Sequence, residues 1–312
     1  MTLQSDSPAV PFTLPSFAKI NWSLEILGRR PDGYHEIRTL LQTISLHDDL
    51  QFEARTDSAI VLTCSDPTIP IDDSNLIVRA AEALRQFASV NHGASIHLEK
   101  RIPAGGGLGG GSSNAAVALL GLAHLWKIDI DAIELGQIGA RLGADVPFFF
   151  FGGRALAGGT GTDVRTVSDG PLMYLLLVTP GVTIATAEAY KSIKAPALTT
   201  SETVSILSIS HAAADLKASR LCALRNDFED VVFKLEPEIK RAKQALISAG
   251  ASGTLLAGSG SSVFGIFESK QDQERAAEEL QAEAGWRVFP AVTVSRSEYL
   301  KTFGLVGARL SR

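Results

Sequence analysis

The densest chemical signal in the chain is Pro103-Ala104-Gly105-Gly106-Gly107-Leu108-Gly109-Gly110-Gly111-Ser112-Ser113. Six glycines in seven positions let a backbone approach a ligand closely and turn its N–H groups toward it. Ser112, Ser113 and Asn114 then read as the opening of an apolar helix, whose unpaired N–H groups and positive dipole end favour an anion. Together these parts predict a phosphate cradle, with the Ser112 and Ser113 hydroxyls in reach of phosphate oxygens or a magnesium ion. Lys100 and Arg101 flank the loop, either as added positive charge beside phosphates or as a solvated strand end. Gly105-x-Gly107-x-x-Gly110 also matches the dinucleotide fingerprint in form, with Asp129 and Asp131 about 20 residues on. That fingerprint needs a strand running straight into the glycine turn, and Lys100–Pro103 intervenes. No Gly-Lys-Ser/Thr ends the loop, so the Walker A pattern fails.

Four further groups carry possible chemistry. Asp145, in Leu142-Gly143-Ala144-Asp145-Val146-Pro147-Phe148, is a carboxylate with apolar neighbours on both sides. It suits a general base for a substrate hydroxyl, or equally a helix-cap aspartate before Val-Pro. Lys19 and Asn21 are two residues apart on one strand and point to the same place. Tyr34 and His35, in Gly33-Tyr34-His35-Glu36, pair a stacking face with a hydrogen-bonding edge, which suits a flat base or ring, or equally form a hairpin arm with a half-buried tyrosine. A second glycine loop, Gly258-Ser259-Gly260, lies between two apolar runs, either as a tight hairpin or as a flap over phosphates or over the first loop.

These residues need elements to hold them. Alternation over Ser16–Ile26 places Ala18, Ile20, Trp22, Leu24 and Ile26 on one face and Lys19, Asn21, Ser23 and Glu25 on the other, a half-buried strand. The turn residues Gly28–Gly33 break it, and strands follow at Ile37–Leu46, Leu50–Arg55 and Ala59–Thr63. Asp72-Asp73-Ser74 starts a helix over Asn75–Val90, with Leu76, Ala80, Ala83, Leu84 and Phe87 at helical spacing. A strand at Ala94–Glu99 leads to the glycine loop, helices at Asn114–Trp126 and Asp131–Leu142, and a buried run at Pro147–Phe151. The turn-rich stretch Gly152–Gly170 marks a boundary between an N-terminal nucleotide-binding domain, 1–165, and a C-terminal domain, 166–312. Beyond it the patterns predict strands at Leu172–Thr179, Gly253–Ala257, Val263–Phe267 and Arg287–Val294. Helices are predicted at Ala185–Ile193, Leu198–Ser219, Asn226–Leu235, Pro237–Ser248 and Asp272–Glu283. Strands and helices mix without regular alternation, so the class is α+β.

Composition bounds the function. With 45% hydrophobic residues over 312, the chain can build a core and is not disordered. Its net charge of 29 − 34 = −5 argues against a general nucleic-acid binder. The longest apolar stretches, Ala115–Trp126 and Pro147–Phe151, fall short of the roughly 20 residues that cross a bilayer. Met1–Pro15 lacks the basic start and apolar stretch of a secretory signal, and Cys64 and Cys222 fit neither a disulfide framework nor a zinc spacing. A soluble, cytoplasmic protein is expected.

Taken in order, Ala18-Lys19-Ile20-Asn21, Gly28-Arg29-Arg30-x-Asp32-Gly33-Tyr34-His35-Glu36, the 103–115 loop, Leu142–Pro147 and Ala257-Gly258-Ser259-Gly260 resemble one superfamily. It is that of the galactokinase, homoserine kinase and mevalonate kinase enzymes. The glycine loop carries the superfamily. The Gly-Tyr-His-Glu and Gly-Ala-Asp-Val-Pro segments carry its branch acting on 4-diphosphocytidyl-2-C-methyl-D-erythritol. The resemblance runs from about Ser16 to Val294. It implies two domains, the first similar to the second domain of ribosomal protein S5 and the second ferredoxin-like, with ATP and substrate meeting between them. It implies transfer of the γ-phosphoryl of ATP, with Mg2+, to the C2 hydroxyl of the methylerythritol unit, a step of the non-mevalonate route to isoprenoid precursors. By motif match Asp145 is the base, Lys19 its charged partner and Asn21 a substrate-positioning group. Tyr34 and His35 hold the cytosine, and a looser match adds Tyr190 and Thr186. Asn75 and Lys100 fall near adenosine and phosphates. Trp22 stands where leucine is commoner, no acidic residue completes a magnesium site, and the Met1–Pro15 and Glu298–Arg312 ends lie outside the resemblance. The remaining readings are another small-molecule kinase of the superfamily for mevalonate, homoserine or a sugar, a dinucleotide-dependent oxidoreductase, and an inactive nucleotide-binding scaffold.

Overall fold

The polar face of the first strand does not meet solvent. Lys19, Asn21 and Ser23 are as buried as Ala18, Ile20 and Trp22, so the strand expected to be half-buried is covered on both sides. The structure, a computed structural model, describes residues 10–199 and 224–311. In it this strand, β1 (Phe12–Arg29), pairs antiparallel with β2 (His35–Arg55) across the Gly33 turn. The two strands expected at 37–46 and 50–55 are therefore one. The polar triplet His47-Asp48-Asp49 reads as a break, but the ladder crosses it with a register shift opposite Phe17 and Ala18.

The sheet continues through β3 (Ile60–Cys64) and β4 (Gly93–Glu99) in the order β3-β4-β2-β1-β8, where β8 is Arg225–Asn226. The turn-rich stretch after Gly152 is an ordered part of this sheet rather than a linker: β5 (Arg154–Gly158) pairs with β2 and with β6 (Asp163–Thr166). Helices α1 (Leu76–Ala88), α2 (Gly110–Leu125) and α3 (Ala132–Leu142) pack with the sheet around the largest core. Helix α3 starts on a capping box in which Asp131 and Glu134 each accept from the other's backbone N–H. In α1 the buried stripe is Ile77, Val78, Ala80, Ala81 and Leu84, and Phe87 is exposed, so the expected face is rotated.

The second sheet is antiparallel. It contains β7 (Tyr174–Thr179), β9 (Gly253–Leu256), β10 (Val263–Phe267) and β11 (Arg287–Val292), in the order β11-β7-β10-β9. Between β7 and β9 lie α4 (Thr186–Ser192), α5 (Glu229–Leu235) and α6 (Pro237–Ser248), and α7 (Lys270–Leu280) joins β10 to β11. Counted within this half, the strand order is fourth, first, third, second, the ferredoxin-like arrangement that was expected. The helix expected from Asn226 begins only at Glu229, because Asn226 is drawn into β8. Most of the expected helix 198–219 lies outside the described residues.

One face of each sheet meets the other through Ala18, Ile20 and Trp22 against Leu175, Leu177 and Phe264. The last segment, for which the sequence suggests no role, returns to the first core. Helix α8 (Arg296–Thr302) buries Tyr299 there, and the Tyr299 hydroxyl donates to the Phe149 carbonyl. Among the described residues no helix is long and apolar enough to cross a membrane.

Candidate active site

The two glycine loops are built against each other. Ser261 and Ser262 donate their backbone N–H groups to the carbonyls of Gly105 and Gly106, at 3.3 and 3.1 Å. Gly107 has φ +76°, and a Cβ on it would overlap the Ala257 carbonyl oxygen. Only glycine meets both demands. The second loop is thus both a β9–β10 hairpin and a brace on the first. Asn226 holds its near end by donating to the Leu256 and Gly258 carbonyls, at 2.9 and 2.7 Å.

The loop runs directly into α2, which begins at Gly110 with Gly109 in the N-cap position. The helix thus opens inside the glycine run, four residues before the expected Asn114. Ser112 faces the cavity in front of the loop, whereas Ser113 is fully buried and receives a hydrogen bond from Ser16 at 2.8 Å. At the base of the loop Asp48 is buried and accepts from the backbone N–H of Arg101 and Ile102, both at 2.7 Å. Its other oxygen takes the Lys100 ammonium at 2.8 Å, and Lys100 also donates to the Ile102 carbonyl. Burial pushes the Lys100 pKa down, and the Asp48 charge opposes that shift. Lys100 therefore braces the loop. Asn75 caps α1, accepting from Ile77 N–H at 2.9 Å, and sits on the same cavity wall.

That cavity measures about 500 Å³ and gathers Lys19, Asn21, Asn75, Lys100, Pro103–Ser112, Asp145, Thr186, Tyr190, Gly258 and Ser259. Asp145 stands at the N-cap of the 3₁₀ turn Val146–Phe150. Its side chain is 37% exposed, wetter than its apolar neighbours suggest, and an oxygen lies 3.4 Å from Lys19 Nζ. Lys19, 3% exposed, also donates to Asn21 Oδ1 at 2.9 Å. Asn21 in turn donates to Thr39 Oγ1 at 2.7 Å, and Thr39 donates to the Ser23 carbonyl at 2.6 Å. Charge, carboxylate and glycine loop therefore share one space.

Tyr190 and Phe228 on the cavity wall meet edge-on with ring centroids 4.8 Å apart, and His35, which is not itself on the wall, lies 5.1 Å from the Tyr190 ring. Burial and then the Arg29 charge lower the His35 pKa. Burial, with the Asp145 charge second, raises Tyr190 to about 12, so its phenol stays protonated. Thr186 receives a hydrogen bond from Ser259 at 3.3 Å. Tyr34 is 67% exposed and is not part of the cavity wall.

Thr39, Phe228 and Asp48 escape the sequence reading. Polar residues inside the apolar strand run Thr39-Leu40-Leu41-Gln42-Thr43 are a signal that could have found Thr39. Asp48 was masked by its resemblance to a turn residue. The dinucleotide reading fails on topology: α2 leads to α3, not to a strand parallel beside β4.

Residues 75–153 match the family GHMP kinases N terminal domain, and residues 206–285 match GHMP kinases C terminal. A 4-diphosphocytidyl-2-C-methyl-D-erythritol kinase of Geobacter sp. (strain M21) is 38% identical over 270 residues, covering 86% of this chain and 94% of that protein. The chain belongs to the 4-diphosphocytidyl-2-C-methyl-D-erythritol kinase family, within the GHMP kinases. A member from Prosthecochloris aestuarii (strain DSM 271 / SK 413) is 40% identical, with 89% of this chain and 97% of that protein covered. The crystal structure of a 4-(cytidine 5'-diphospho)-2C-methyl-D-erythritol kinase superposes with a TM-score of 0.72 at 34% identity, over 90% of this chain and 99% of that one. As a GHMP kinase the chain is a small-molecule phosphotransferase that uses ATP as co-substrate.

Proposed function

We propose that this GHMP kinase transfers the γ-phosphoryl of ATP to the C2 hydroxyl of 4-diphosphocytidyl-2-C-methyl-D-erythritol, in non-mevalonate isoprenoid biosynthesis, with Asp145 as general base. The observation that carries the reading is the 3.4 Å Lys19–Asp145 pair on the wall of the cavity that holds the glycine loop. Phosphoryl transfer needs positioning and charge stabilisation more than covalent chemistry. The Gly105–Gly111 backbone and the start of α2 cradle the phosphates. Asp145 accepts the hydroxyl proton as the new P–O bond forms, and Lys19 steadies the oxygen it leaves behind. His35 and Tyr190 receive the cytosine, with Thr186 beside them and Tyr34 closing from the rim.

Among the described residues there is no group of three or more His, Cys, Asp or Glu side chains that would hold a metal on its own. The oxygens on the cavity wall, Ser112 and Asp145 among them, fit Mg2+ brought in on the nucleotide, because this ion commonly keeps its waters and binds through one or two protein oxygens plus phosphates. Ser112 is the hydroxyl on the wall suited to it, and the ion would neutralise phosphate charge. A cytoplasmic location and a small-molecule partner carrying cytidine diphosphate fit this reading.

The test is ADP release from ATP and magnesium, dependent on 4-diphosphocytidyl-2-C-methyl-D-erythritol, measured beside Asp145→Asn. A loss of kcat of about 10²–10⁴ in the variant supports the assignment. Turnover with mevalonate, homoserine or a sugar instead would keep the kinase and remove the cytidine reading of His35 and Tyr190.

A further inference from the structure

Behind the strand that carries Lys19 lies a second cavity, of about 350 Å³. Trp22 lines it, while Lys19 and Asn21 line the first. The separation follows from β1, whose successive side chains take opposite faces, with a register shift in the β1–β2 ladder between Asn21 and Ser23. The wall is shared by both sheets: Trp22, Met173, Leu224 and Ile266 make it apolar.

Its polar groups are nearly all spoken for. The Gln42 amide donates to the Thr43 and Val294 carbonyls, at 3.0 and 2.9 Å. Thr293 Oγ1 accepts from Met173 N–H at 3.0 Å and donates to Pro171 O at 3.4 Å, and Ser252 donates to Ile266 O at 3.2 Å. Arg154 is the exception. Its Nε is shielded from solvent and has no hydrogen-bond partner among the described residues. Gly170 keeps the space beside it open, since a Cβ there would stand 3.1 Å from Nη1. A buried N–H of a cation without an acceptor is costly, and such groups are rare in native proteins.

We propose that this cavity binds a small organic anion, with an oxyanion head on Arg154 and a flat apolar body against Trp22. The volume suits a single ring with its head group, at the small end of the roughly 300–1,000 Å³ typical of ligand pockets. Arg154 presents a planar fork of donors that matches a carboxylate or a phosphate. Trp22, whose ring stands edge-on to Phe264 at 5.7 Å, supplies the apolar surface.

The experiment titrates the full chain with 4-nitrophenyl phosphate and with 4-nitrobenzoate, the two arms distinguishing a phosphate from a carboxylate head. A non-hydrolysable ATP analogue is held at saturation to block the first cavity. Calorimetry reads affinity, and quenching of tryptophan emission reads the position. Saturable binding of either probe, quenching that disappears in Trp22→Leu, and affinity about tenfold or more weaker in Arg154→Met support the site. Without probe, Arg154→Met should melt no lower than the parent, because the unpartnered guanidinium has no bond to lose; a purely structural arginine would lower the melting temperature. No saturable binding in the presence of the ATP analogue, or equal binding in Arg154→Met, would overturn the proposal. Should Arg154→Met not fold, unchanged affinity and quenching in Trp22→Leu overturn it just as well.

Discussion

Asn21 has its amide fixed from both sides. Its oxygen takes Lys19, its nitrogen gives to Thr39, and the Thr39 hydrogen is committed to Ser23. Thr39 is thus a positioning residue for Lys19. Thr39→Val leaves the buried amide without an acceptor, a loss of about 1–3 kcal/mol. In steady-state kinetics kcat should drop about tenfold, the KM for ATP should hold, and Thr39→Ser should restore the rate; an unchanged kcat in the valine variant would show the relay to be idle. His35 gives a pH prediction. Burial first, and Arg29 second, disfavour its imidazolium, so its midpoint in an NMR titration should fall below the ordinary 6.5. The unfolded chain then binds more protons near that pH, so the contribution of His35 to stability weakens as pH falls through 6.5. Lys19, Asn21, Tyr190 and Thr186 were visible in the sequence by spacing or resemblance, and the fold brings their side chains to one cavity. Thr39 and Phe228 were not, because their parts depend on which neighbour lies across a strand pair or between helices, and one sequence does not record that.

At the scale of elements, the cradle depends on a contact between two loops far apart in the chain. Gly107→Ala adds a methyl where the Ala257 carbonyl already stands, at a backbone angle that suits glycine. Loop separation is the expected response, with ATP affinity in a nucleotide-binding titration falling about tenfold, about 1.4 kcal/mol. Wild-type affinity in that variant would mean the brace is dispensable. The limits of α6, β10 and α3 could be read closely from apolar period and capping residues, since those signals are local. The continuity of β2 could not. Asp48 carries a turn-former's chemistry, yet its carboxylate is satisfied by Lys100 and two backbone N–H groups from another part of the chain, so the strand runs straight through it. The start of α2 is hard to read for a related reason: glycine is a poor helix former alone, yet the helix begins at Gly110.

Across the whole molecule, the chain makes one sheet, then another, and then comes back. Tyr299 is fully buried in the first core, where it contacts Phe17 and Phe303 and bonds the Phe149 carbonyl of the turn that carries Asp145. Tyr299→Ala should cost about 3–5 kcal/mol in thermal or denaturant unfolding, and a cost under 1 kcal/mol would mean the last helix is only laid on the surface. The ferredoxin-like half was legible through resemblance, because its strand order is a property of the superfamily. The return of the last segment was not, since its residues lie outside the matching motifs.

The interlocked glycine loops also set an order of events during synthesis. Residues 103–113 leave the ribosome long before residues 257–262, which supply the brace. A chain stalled anywhere between them has its first run of glycines but an unsupported loop. Because Gly105 and Gly106 gain these partners only from Ser261 and Ser262, the proposed nucleotide site is complete only once most of the polypeptide exists.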